Sequence, residues 1–133
     1  MSKIDAFEDL EIWKEGMRLC VQIYNLLKDF KDFGLKDQIQ RASVSIPSNI
    51  AEGYERQTDK ELIHFLYIAK GSCAEVRTQL YLLKSLDSFE KQVVDNLIDK
   101  TKKISAMISN FIKARKTGTL RIGNKGTRET VTR

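Results

Sequence analysis

Apolar residues recur at spacings of three and four through most of this chain, and a single proline, Pro47, stands among its 133 residues. Such spacing puts side chains on one face of a helix. A β-sandwich needs many turn residues, which this sequence does not carry. The chain therefore reads as all-α. Its 41% hydrophobic and 31% charged residues suit a soluble domain, and its length suits one core without disulfides or a metal.

Four amphipathic segments divide the sequence. The first spans roughly Glu8 to Phe30 and carries two apolar sets. Leu10, Trp13, Met17, Cys20, Tyr24 and Leu27 form the expected core stripe. Ile12, Leu19, Ile23, Leu26 and Phe30 widen it, enough to face both a core and a neighbouring subunit. Asp32-Phe33-Gly34 breaks the pattern, with Gly34 as the expected cap of the first helix. The second helix carries Leu35, Ile39, Ala42, Ile46 and Ile50 and ends at Gly53-Tyr54. Pro47 lies inside it and frees the carbonyl of Ser43, so a kink is expected, with Ser43, Ser45 and Ser48 taking up freed backbone groups.

Thr58 and Glu61 form a capping box that starts the third helix, whose stripe is Leu62, Phe65, Ala69, Cys73, Val76, Leu80 and Leu83. Asp87 and Glu90 mark a fourth start, followed by Val93, Val94, Leu97, Thr101, Ile104, Ile108 and Phe111. Short links make sequential helices antiparallel. The fold read from the sequence is an antiparallel up-down-up-down four-helix bundle over residues 1–116, with a flexible basic C-terminal tail over 117–133.

The net charge of +5 is unevenly placed. Residues 113–133 hold seven basic groups and one acid, Glu129, so the rest of the chain is close to neutral. A neutral body with a basic end points to an anionic partner, RNA or DNA. Lys100, Lys102, Lys103, Lys113, Arg115 and Lys116 lie on the fourth helix with no acid among them, and Arg121, Lys125 and Arg128 continue them into the tail. Lys102, Lys113 and Lys116 share a narrow sector opposite the Leu97-Ile104-Ile108 stripe. The one aromatic residue among these cations, Phe111, falls on the apolar stripe, so none is placed to stack on bases and the expected binding is tolerant of base sequence.

Catalysis finds little support. The one histidine, His64, sits in a Glu-x-x-His with Glu61, but a di-iron bundle needs a second such motif and further glutamates. One histidine also gives no nucleophilic triad, and no P-loop pattern occurs. Cys20 and Cys73 fall on core stripes and read as packing in a reduced, cytoplasmic protein. No apolar run reaches the ~18 residues of a membrane span. We expect no enzyme activity, no cofactor, no metal and no membrane partner.

A polar set invites a structural role. A turn near Arg56 would set Arg41 within a turn of Glu75 and Ser45 near Tyr67. Gln38, Arg41, Ser45, Asn49 and Glu75 would then form a buried seam that fixes helix register, with Arg41 and Glu75 as its ion pair.

The segment from Leu35 to Tyr54, with its Ser45-Ile46-Pro47-Ser48-Asn49-Ile50-Ala51-Glu52-Gly53 string, resembles a known family. Phe7-x-Asp9-Leu10-x-x-Trp13 before it and Phe65-Leu66-x-Ile68-Ala69-x-Gly71-Ser72-x-x-Glu75 after it extend the likeness over roughly residues 7–115. The family is that of the four-helix-bundle proteins encoded in intervening sequences of bacterial 23S ribosomal RNA genes, which includes the accessory variability protein of diversity-generating retroelements. The resemblance implies an antiparallel bundle, a homopentameric ring and no catalytic residues. Its retroelement branch implies binding to a reverse transcriptase and to nucleic acid. Two function classes follow: an oligomeric nucleic-acid-binding or accessory scaffold, and a protein–protein adaptor without nucleic-acid binding.

Overall fold

The computed structural model describes residues 6–118. A 3-10 turn, Phe7–Asp9, leads into α1 (Glu11–Leu26), α2 (Phe33–Tyr54), α3 (Asp59–Lys84) and α4 (Lys91–Thr117). Among the described residues there is no strand. Each helix packs on the next, and α1 also meets α4, which closes a four-helix bundle. Leu19, Ile23, Ile39, Ile46, Ile50, Leu62, Leu66, Leu80, Ile104 and Ile108 are fully buried at its centre. No helix among these residues is long and apolar enough to cross a membrane.

Local chemistry sets the ends. The first helix starts later than expected because Leu10 is extended (φ −77°, ψ 131°) and the 3-10 turn folds Phe7 onto Trp13, their rings 5.4 Å apart. Gly34 does not cap α1. It lies in the first turn of α2, whose cap is Asp32, accepting from the Leu35 N–H at 3.1 Å. Thr58 caps α3 as expected, accepting from the Glu61 N–H at 3.1 Å. α4 runs through Thr117 and stops at Gly118, whose φ of 85° few other residues adopt. The tail expected over 117–133 lies, from residue 119 onward, outside the described residues.

The inward face of α1 is rotated from the expected stripe. Ile12, Gly16, Leu19, Cys20 and Ile23 are buried, while Met17 and Tyr24 are exposed. Gly16 lets α1 approach α2 closely at its proline: a Cβ there would stand 3.3 Å from Ile46 Cγ2 and 3.5 Å from Pro47 Cδ. One turn on, the Cys20 thiol donates to the Ser43 carbonyl at 3.0 Å. That carbonyl lies four residues before Pro47, so it has no helical N–H to accept from. The cysteine of α1, rather than the serines of α2, therefore satisfies the group that Pro47 frees. Burial pushes the Cys20 thiol up, and pushes Cys73 up to about 11.

Candidate nucleic-acid interface

The α4 cations divide according to the helix face each occupies. Lys102, Lys103, Lys113 and Lys116 are exposed. Lys100 is half-buried and turns toward α1, 3.6 Å from Glu15. Arg115, expected among the nucleic-acid contacts, is instead only 5% exposed. Its Nε donates to Asp59 Oδ1 at 3.3 Å, and Asp59 is 1% exposed. The Tyr54 and Phe111 rings stand 6.0 and 5.5 Å from the guanidinium.

This pair fastens the last turn of α4 to the first turn of α3. Each charge also suits its helix end, the acid at an N-terminus and the cation at a C-terminus. Arg115 continues the inward line Thr101, Ile104, Ile108, Ile112, which is the sign in the sequence that it faces the core. Arg121, Lys125 and Arg128 lie outside the described residues.

An aromatic residue does stand among the remaining cations, but it comes from α3. Tyr67 is 50% exposed, and its hydroxyl accepts from Lys116 Nζ at 3.2 Å. With Ser109, Ile112, Lys113, Lys116 and Thr117 it lines an open hollow of about 330 Å³ between α3 and α4. A larger hollow of about 610 Å³ lies at the opposite end of the bundle, floored by the edge-to-face pair Phe30–Phe89 and rimmed by charges of both signs.

The expected polar seam does not form within one chain. Arg41 is exposed and pairs with Asp37 one turn back, Nε to Oδ2 2.8 Å, while Gln38 and Glu75 are exposed too. Ser45 meets Ser72, Oγ to Oγ 2.6 Å, about a turn beyond Tyr67. Asn49 bonds only locally, Nδ2 donating to the Ser45 carbonyl at 2.8 Å. The offset between α2 and α3 therefore differs by about one turn from a register centred on Arg56, and Arg41 and Glu75 fall on outer faces. Glu61 and His64 are both exposed, and no group of three or more metal-ligating residues occurs among the described residues.

Comparison with known proteins agrees with this architecture. The family model of the 23S rRNA-intervening sequence protein matches residues 8–110. A crystal structure of a protein of unknown function from Bacteroides thetaiotaomicron, assigned to the S23 ribosomal protein family, is similar to the chain. The two are 24% identical with a TM-score of 0.72, covering 77% of this chain and 98% of the other. No curated protein matches the chain.

Proposed function

The chain belongs to the 23S rRNA-intervening sequence protein family, and we propose that it acts without catalysis, as a homo-oligomeric scaffold that binds RNA or DNA. The observation that carries this reading is the exposure of Lys102, Lys113 and Lys116 along one side of α4. The segment from Lys100 to Lys116 has six basic residues and no acid, and it leads into the basic chain end. Cations at a helix C-terminus complement its dipole, but only over the last turn. Lys102 lies well before that turn, so the dipole does not account for it.

Assembly is supported by the outer face of α1, where Met17, Val21 and Tyr24 are 39%, 56% and 45% exposed. They stand at helical spacing on the side away from the core, as a subunit contact requires. The assembly proposed is a homopentameric ring, which gathers five basic ends into one field for a phosphate backbone. The narrower form of the proposal makes the scaffold an accessory of a reverse transcriptase, presenting nucleic acid to it from the α4 side.

Light scattering on the full chain at micromolar concentration is expected to give a multiple of 15.3 kDa. The change Val21→Glu should reduce that mass to the monomer without loss of helix content. Filter binding at low salt should retain structured RNA. A monomeric wild type would remove the oligomer. An oligomer that retains no RNA would leave the adaptor reading.

A further inference from the structure

We infer that the flank of α3 beside α4 is a track for single-stranded nucleic acid, on which an unpaired base stacks against Tyr67 while Lys113 and Lys116 hold its phosphates. This deepens the nucleic-acid reading above and rests on it.

The geometry begins with the ring. Lys116 Nζ is 3.2 Å from the Tyr67 hydroxyl but 5.5 Å from the ring centroid. The ammonium therefore sits off the hydroxyl end rather than over a face. Half of the tyrosine is open to solvent, above a hollow that Lys113 and Ser109 also line. A base laid on the exposed side would carry its phosphate toward the two ammonium groups. The Tyr67 hydroxyl, already accepting from Lys116, keeps its own proton to donate to a phosphate oxygen.

The stripe continues along α3. From Tyr67, steps of three and four reach Lys70, Ala74, Arg77 and Tyr81, all on one flank of the helix. Tyr81 is 48% exposed, and the two tyrosines stand about 21 Å apart along the axis at the helical rise. Lys70 and Arg77, half-buried, lie between them. No acid occupies this stripe from Tyr67 to Tyr81. Aromatic faces spaced along a cationic groove fit strands whose bases are free to stack, and a duplex hides those faces.

The test measures binding of the full chain to oligo(U) and oligo(dT) of about 16 nucleotides, the upper end of usual single-strand site sizes, and to a duplex of equal length. Tyr67→Ala and Tyr67→Leu are expected to weaken both single strands by about tenfold, the order of one lost stacking contact. They should change duplex binding less than about twofold, and Tyr67→Phe should keep most of the affinity for single strands. Far-UV dichroism of each variant confirms the fold, and the leucine keeps apolar cover over Ile112 without a ring. Equal single-strand binding by wild type, Tyr67→Ala and Tyr67→Leu, with duplex binding intact, overturns the stacking site alone. If wild type binds no nucleic acid at low salt, the broader reading falls as well.

Discussion

Asp59→Ala is expected to destabilise the bundle by about 3–5 kcal/mol, because it leaves the buried Arg115 guanidinium without its carboxylate. At the scale of a small domain this is a fall in Tm of ~10 °C or more. The loss belongs to the uncompensated charge rather than to the attraction between the two groups. Replacing both partners together, Asp59→Leu with Arg115→Met, should therefore recover much of it. Both side chains are nearly solvent-free, so salt should do little to the difference. Thermal melts of the two variants beside wild type check this. An Asp59→Ala protein that melts with wild type would mean that the end of α4 does not dock on α3 in solution.

Gly53→Ala is the second large effect, and it arises from backbone approach rather than backbone angle. A Cβ at Gly53 would stand 2.8 Å from Phe65 Cβ and 3.2 Å from the Leu62 carbonyl oxygen. Neither neighbour is the free end of a side chain, so α2 and α3 must move apart. Overpacking of this kind costs about 1–3 kcal/mol, and more where the backbone itself must move. Gly71 is the control. Nothing lies within 4 Å of a Cβ there, and alanine should stabilise its helix by up to ~1 kcal/mol. Urea unfolding midpoints should move in opposite directions for the two variants. Equal midpoints for Gly53→Ala and wild type would contradict the close crossing.

These two sites show where the sequence is legible and where it stops being so. Four helices follow from the apolar period, and the start of α3 follows from Thr58 and Glu61, because both are local patterns. The face of α1 does not. Its inward line passes through Gly16, which counts as no hydrophobe at all, although Ile46 and Pro47 of α2 pack closely against it. Pattern reading then favours the line through Met17 and Tyr24. Cross-helix pairs are harder again. The observed register, with Ser45 against Ser72, still sets Arg41 level with Glu75, but both lie on outer faces, and the apolar period does not show which way those two polar side chains turn.

The candidate interface divides in the same way. Arg115 and Lys116 are adjacent and equally basic in the sequence, yet one is buried in an ion pair and the other is exposed. Position on the inward line of α4 separates them. The place of Tyr67 beside the α4 cations is not legible for a different reason: it comes from α3, and only the packing of α3 on α4 brings it to Lys116.

The salt dependence of nucleic-acid binding tests the central claim most directly. Affinity of the full chain for structured RNA and duplex DNA, measured across salt concentrations, should fall linearly on logarithmic axes, with each phosphate contact contributing ~0.7–0.9 to the slope. Lys102→Glu, Lys113→Glu and Lys116→Glu combined should flatten the slope and remove most of the affinity, while the melting temperature stays near wild type because all three side chains are exposed. Deleting residues 119–133, which carry Arg121, Lys125 and Arg128, should flatten the slope further. An unchanged slope in the triple variant, or no binding by wild type at low salt, would contradict the account and make the α4 strip a solvated face.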